Sequence, residues 1–251
     1  MKTDVKFIYS TEDPASLNIR DALVSSGIDR ELFHEINQRS IYSDFPENRD
    51  GMAGKTLVFL SRHSSEKKVN SLTVHPVGNF SSADLGGAPG ELAESDPWVQ
   101  SAILRSIKNV YKGDKYNITL EATHHGPRSS SRIVFAEIGT GPENWNDPEA
   151  LDALAQGLSS FNVMDYPNYV AAGGGHYAPK FTDALFSMKI NIGHIISKYR
   201  MDEISDSGLI QAVEKSPDCK GFILDKKGLR SSHLEMIRSF AKNRNLDIIE
   251  L

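Results

Sequence analysis

The chain of 251 residues contains a single cysteine, Cys219. A lone thiol excludes an internal disulfide and a multi-cysteine metal cage, and it suits a reducing cytoplasm. Long hydrophobic runs are missing too, since none approaches the roughly 20 residues that a membrane helix needs. The opening residues, Met1-Lys2-Thr3-Asp4-Val5-Lys6, lack the apolar core of a secretory signal. The expected location is therefore cytoplasmic, with no membrane association and no obligate protein partner implied. Two familiar hydrolase signatures are absent as well, the Gly-x-Ser-x-Gly elbow and the His-Glu-x-x-His zinc helix. There is no internal repeat, low-complexity tract or charged linker.

The net charge of −5 argues against general nucleic-acid affinity but leaves room for a local basic face. Between Lys215 and Arg244, eight Lys and Arg stand against three acids. Such asymmetry can guide a phosphate backbone to one side. A solvated helix surface explains it equally simply, and charge alone favours that plainer reading. With 39% hydrophobic and 24% charged residues, the composition is that of an ordinary soluble protein with ample core.

What the sequence does have is histidine in unusual company. Six of its eight histidines lie in short runs crowded with Ser, Thr, Gly and Pro. These are Ser61-Arg62-His63-Ser64-Ser65, Thr73-Val74-His75-Pro76-Val77-Gly78-Asn79, Thr123-His124-His125-Gly126-Pro127, Gly173-Gly174-Gly175-His176-Tyr177-Ala178-Pro179 and Asn191-Ile192-Gly193-His194. Several follow apolar stretches typical of buried strands, which puts the imidazoles at strand ends or in the loops beyond. Imidazole titrates near neutrality and binds zinc well, so the gathering points to a hydrolytic site.

The hydrophobic pattern predicts strands at residues 5–10, 32–36, 41–42, 56–60, 71–74, 118–122, 132–136, 169–172, 189–196, 221–224 and 246–249. Helices are predicted from Asp13-Pro14 to about residue 26, and over residues 97–111, 148–158, 207–215 and 229–243. Residues 79–97 form the longest aperiodic stretch, and a loop of that length in a compact fold is usually functional or mobile. The strand–helix rhythm predicts one mixed α/β domain over residues 1–251, with helices on both faces of a sheet.

Adjacent His124 and His125 project to opposite faces if the segment stays extended, and share one ion only if the turn at Gly126-Pro127 twists the chain. Gly173-Gly174-Gly175 lets the backbone approach a ligand, and free N–H groups there can hold an anion. The run lacks the Lys-Ser/Thr of a P-loop and the spacing of a dinucleotide fingerprint, so a tight turn is the competing account. Tyr177 and Lys180 behind it suit a nucleotide end. Arg128 and Arg132 flank Ser129-Ser130-Ser131, and Arg62 with Lys67-Lys68 flanks His63, sets that can contact phosphate or simply be solvated. Glu137 closes a strand and is a candidate for a metal or a water, or for a salt bridge. Cys219, with no histidine nearby, reads as structural.

These runs together resemble the archaeal and plant type of D-aminoacyl-tRNA deacylase, the second type, distinct from the small bacterial and animal enzyme. The likeness rests on the runs around His63 and His75 (continuing to Phe80), Ala83-Asp84-Leu85-Gly86-Gly87 and Glu121-Ala122-Thr123-His124-His125-Gly126-Pro127. It continues in Phe135-Ala136-Glu137-Ile138-Gly139 with Trp145, and in the triple glycine through Lys180-Phe181-Thr182. It spans residues 5–251 with the motifs in order. The resemblance implies an α/β fold akin to peptidyl-tRNA hydrolase and nucleoside phosphorylase. It implies an esterase that frees D-amino acids from mischarged tRNA, D-aminoacyl-tRNA being the partner, in translation quality control with zinc as cofactor.

Under that resemblance, zinc would be held by some of His63, His124 and His176, with Glu137 as a further candidate. His125 would shuttle the proton, and N–H groups at Gly174 and Gly175 would meet an oxyanion or the terminal phosphate. Arg62, His75, Arg128, Arg132, Tyr177 and Lys180 are the candidate substrate contacts; His194 has no assigned role. Three other readings compete. A metal-free hydrolase with a histidine base would survive chelation. A tRNA- or nucleotide-binding module would show salt-sensitive binding without turnover. A nucleoside phosphorylase-like enzyme would depend on free phosphate.

Overall fold

The computed structural model describes residues 4–48, 51–64 and 69–251. Ser65, Lys67 and Lys68, named above beside His63, lie outside the described residues. Three helices start from the same local device, an Asp whose carboxylate caps the first turn and a Pro that has no N–H to leave unsatisfied. Asp13 accepts from the Ala15 and Ser16 N–H groups, Asp96 from Val99 and Asp147 from Glu149. They begin α1 (Pro14–Ser25), α2 (Pro97–Val110) and the helix Pro148–Ser160.

A first sheet contains β1 (Val5–Ser10), β2 (Phe33–Ile36), β3 (Thr56–Arg62), β4 (Ser71–His75), β5 (Glu94–Ser95), β6 (Asn117–Leu120) and β7 (Arg132–Gly139). Its order is β2-β1-β3-β7-β4-β6, with β5 added on β7. All its pairings are parallel except β4 with β7, which makes the sheet mixed. A second, all-parallel sheet has the order β11-β10-β8-β9, from β8 (Asn168–Ala172), β9 (Asn191–Ile196), β10 (Cys219–Leu224) and β11 (Asp247–Glu250). The chain just past β6 joins them. Ala122 N–H donates to His176 O, and Thr123 N–H to Ile195 O.

Strand alternation sorts the core. Phe7, Val58, Leu60, Val134, Ala136, Leu72 and Val74 face a large cluster that also takes Tyr169, Ala171, Ile195 and side chains of α1, α2 and Pro148–Ser160. On the opposite face of the first sheet, Ile8, Leu57, Phe59, Ile133 and Phe135 are covered by Ile41, Met52, Val77 and Ala93, all from loops. On the second sheet that opposite face is covered by helices Asp206–Glu214 and Ser231–Asn243. The mixed α/β fold with helices on both faces is thus as expected, though loops close one face of the larger sheet.

Ile41-Tyr42 is not a strand but part of a 3-10 turn, Ser40–Tyr42, in which Ile41 packs on the sheet and Tyr42 is exposed. The strand predicted through residue 122 stops at Leu120, because Ala122 and Thr123 bond across to the second sheet. Helix Pro179–Ser187 was not anticipated; no side chain caps it, so the sequence carries no start signal beyond its proline. Among the described residues no helix is long and apolar enough to cross a membrane.

Candidate active site

Polar side chains gather where the apolar alternation of the loop-covered face breaks off. Along β3, Ser61 follows Leu57 and Phe59; along β7, Glu137 follows Ile133 and Phe135. The antiparallel register sets Thr73 opposite Glu137 and His75 opposite Phe135. His63 lies just beyond β3, Glu121 just beyond β6 and His176 beyond β8. His125 has a left-handed backbone, φ 44°, which turns its ring back beside that of His124, the two centroids being 4.3 Å apart. The twist that sharing one region of space required is therefore present.

Glu121 is the centre, with 0% of its side chain exposed. Its carboxylate lies 3.2 Å from His63 Nδ1, 3.1 Å from His176 Nε2 and 3.7 Å from His124 Nε2. Glu137 lies 3.4 Å from His63 Nδ1 and 3.5 Å from His75 Nε2. These contacts are close but poorly directed: among the described residues, neither Glu121 oxygen nor His75 Nε2 has a properly aligned hydrogen bond. Donor atoms of His63, Glu121 and His176 fall within 4.8 Å of one another, as do those of His75, His124 and His125, and those of His75, Glu121 and Glu137.

Charge is divided sharply within this cluster. Burial alone would lower the His63 pKa, yet Glu121 and Glu137 push it up to about 11. Burial would likewise raise Glu137, but His63 and His75 bring it down to about 2. His125 is lowered to about 4 by burial and by repulsion from His75, and His124 is lowered for similar reasons. Backbone carbonyls fix which nitrogen carries the proton in these neutral rings: Nδ1 of His124 donates to Ala122 O, and Nδ1 of His125 to Gly126 O. Each Nε2 is left to accept.

His63, His124, His125, His176 and Glu137 line a cavity of about 180 Å³ together with Asp13, Arg39, Ser40, Arg62 and Leu85. A family model described as D-aminoacyl-tRNA deacylase matches residues 51–249. The chain belongs to this family. Proteins named D-aminoacyl-tRNA deacylase from Thermoplasma acidophilum and Picrophilus torridus are 40% and 38% identical to it, each over 97% of this chain and 98% of the relative. One from Methanosarcina barkeri is 33% identical over 98% of this chain and 89% of the relative. The crystal structure of a conserved protein of unknown function, AF0625, is similar with a TM-score of 0.92 and 27% identity, covering 100% of this chain and 96% of that chain.

Within this D-aminoacyl-tRNA deacylase family member, the candidate residues read from the sequence divide in two. His63, His75, His124, His125, His176 and Glu137 converge, with Arg62 on the same cavity. Tyr177 joins them, its hydroxyl 3.0 Å from His63 Nε2. Arg128, Arg132 and Lys180 do not line the cavity. Arg128 pairs with Glu91 and lies over Phe45, Arg132 sits at the far end of β7 beside Asp96 and Trp98, and Lys180 pairs with Asp225. Gly174 packs on the turn at Asp225–Gly228, and neither it nor Gly175 lines the cavity. His194 is buried and bonded to Thr123 and to Ala93 O, a structural role.

Three of the eight basic residues in the C-terminal window are paired with carboxylates, Lys226 and Arg238 with Glu250 and Arg230 with Asp202. Sequence reasoning missed Glu121 and Arg39. For Glu121 a signal existed, a charged residue closing an apolar strand directly before Thr123-His124-His125.

Proposed function

We propose that the chain hydrolyses the ester of D-aminoacyl-tRNA, such as D-Tyr-tRNA, releasing the free D-amino acid and tRNA and so preventing D-amino-acid misincorporation and toxicity, with zinc as cofactor. The observation that carries this is Glu121, a fully buried carboxylate among three imidazoles, its oxygens lacking aligned partners, in a chain of the deacylase family.

Two buried carboxylates demand positive charge beside them, and either a protonated His63 or a divalent cation meets that demand. The donors suit zinc, which favours imidazole nitrogen and carboxylate oxygen. His63, Glu121 and His176 would hold the ion, with His124 the next donor at 3.7 Å from Glu121. Zinc supplies Lewis acidity to water and to an ester carbonyl.

The chain's own groups do the rest. His125 Nε2, neutral because of burial, accepts the proton of the attacking water and returns it to the departing ribose oxygen. Its Nδ1–H···O bond to Gly126 keeps the ring in that tautomer. Glu137 holds His75 in place. Tyr177 fixes the other side of the His63 ring.

The test is hydrolysis of matched D-Tyr-tRNA and L-Tyr-tRNA, with a chelated sample alongside. Release from the D-form alone, lost on chelation and restored by zinc, is expected. Activity that survives exhaustive chelation would keep the reaction and remove the metal, leaving His125 as base. No release from either substrate would refute the deacylase reading.

A further inference from the structure

A second cavity, of about 290 Å³, adjoins the one described and shares with it Leu85, His124, His125 and His176. The histidine cluster is therefore the partition between two chambers of different chemistry. In the first chamber, Arg39 and Arg62 each lie over an aromatic ring, Tyr42 at 5.6 Å and Trp145 at 5.2 Å. Neither guanidinium has a carboxylate oxygen within 4.0 Å among the described residues, although the Arg62 charge is felt by Asp13, whereas Arg128, Arg132, Lys180, Arg200, Arg230 and Arg238 are all directly paired. The chamber's own acids are engaged: Asp13 accepts three backbone N–H groups, of Ala15, Ser16 and Arg62, and Glu137 faces His63 and His75.

The second chamber is lined, among the described residues, by one cation and one acid. Its cation, Arg200, is taken up by Glu203 and Ser81. Its acidic lining residue, Asp84, is exposed and, among the described residues, meets Ser82 Oγ at 3.1 Å. Phe80 and Leu85 give it apolar wall.

We propose that the site is bipartite: Arg39 and Arg62 bind phosphates of the unpaired 3′ end of the RNA, and the Phe80–Asp84–Leu85 chamber receives the aminoacyl group, with Asp84 against its ammonium. The inference rests on the deacylase reading. An aminoacyl ester is a polyanionic nucleotide on one side of the scissile bond and a cationic, partly apolar group on the other. Two guanidinium groups without a directly paired carboxylate on one side and Asp84 on the other, meeting at His124 and His176, match that division. Guanidinium lying over an aromatic ring is suited to phosphate and base together, as in single-strand binding grooves.

The experiment uses the zinc-treated full chain, a deacylated acceptor-stem mini-helix with an unpaired 3′ end, and D-tyrosinamide as a probe of the aminoacyl chamber. Arg39→Gln and Arg62→Gln are each expected to weaken mini-helix binding about tenfold and to reduce its salt slope by about 0.7. With D-Tyr-tRNA the loss should fall on KM more than on kcat. Asp84→Asn should weaken inhibition by D-tyrosinamide several-fold and spare the mini-helix. Lys115→Gln, which removes a charge paired with Asp147, is the control for net charge. Thermal melting of each variant checks folding.

The proposal falls if the two arginine variants lose no more mini-helix affinity than Lys115→Gln. It falls equally if Asp84→Asn weakens the mini-helix and leaves D-tyrosinamide alone. Wild-type cleavage of D-Tyr-tRNA is read in parallel. If cleavage stands while the crossed pattern fails, only the bipartite assignment is lost; if wild type cleaves nothing, the deacylase reading is lost and this assignment with it.

Discussion

Replacing Gly126 by alanine tests whether the cavity roof is held by backbone contact. A Cβ built there lies 2.3 Å from Gly87 N, 2.5 Å from Ile41 O and 2.7 Å from Gly86 C. Carbon contacts are optimal at about 3.5–4.0 Å, so each of these atoms must retreat by roughly 1 Å. All are main chain, from two loops that carry Leu85 and Ile41 over the histidine cluster, and no flexible side chain can absorb the overlap. Overpacking costs about 1–3 kcal/mol, and here the upper end applies. For a chain of this size, about 2–4 °C of Tm is lost per kcal/mol, so Tm should fall by about 6–12 °C.

The same retreat moves Leu85 and the adjoining His125, and a displacement near 1 Å can cost about a hundredfold in rate. Gly54→Ala is the comparison, since its φ is 74° and, among the described residues, nothing lies within 4 Å of the added carbon. There only left-handed strain acts, about 1 kcal/mol, and turnover should hold. Differential scanning calorimetry with D-Tyr-tRNA turnover on both proteins decides the matter. Equal melting temperatures and undiminished turnover for Gly126→Ala would refute the close-approach argument.

Glu121→Gln keeps the volume and removes the charge; zinc affinity, read by competition with a chromophoric chelator, should weaken by at least about 100-fold with turnover lost, and wild-type affinity would refute the assigned ligand set. His194→Phe strands Ala93 O, while Thr123 Oγ1 keeps the Ile195 N–H, which should cost about 1–3 kcal/mol in denaturant unfolding while zinc stoichiometry stays constant; loss of bound zinc would contradict its structural role. Burial alone would raise the Glu47 pKa, but hydrogen bonds from Ser130 and Ser129 bring it below 4.5. A depressed carboxylate pKa stabilises the fold above the unfolded value and ceases to do so as pH falls through the folded one. The Tm gap between wild type and Glu47→Gln should thus be present at neutral pH and shrink below pH 4.5; a gap independent of pH would refute it.

Much of the fold is legible locally. Apolar runs such as Thr56-Leu57-Val58-Phe59-Leu60 are strands because no other conformation buries both of their faces so fully, and the Asp-Pro pairs at residues 13, 96 and 147 announce helices because cap and proline act within one turn. Histidines just past apolar strands were equally visible, and so was the likeness to the deacylase family. Local signals are also why Ile41-Tyr42 misled: two apolar residues look alike whether they extend a sheet or cover one.

What the sequence by itself determined was the inventory, strands, capped helices and imidazoles at strand ends, because each is set by interactions a few residues long. Only the tertiary structure decided which of these side chains share a site. The antiparallel placement of β4 on β7 brings His75 to Glu137, and the stitch at Ala122 and Thr123 carries His176 across to Glu121. The same long-range packing sent Arg128, Arg132 and Lys180 to carboxylates elsewhere and left Arg39 at the cavity mouth. Partners distant in sequence leave no spacing to read, since their proximity is fixed by sheet order and burial rather than by any local rule.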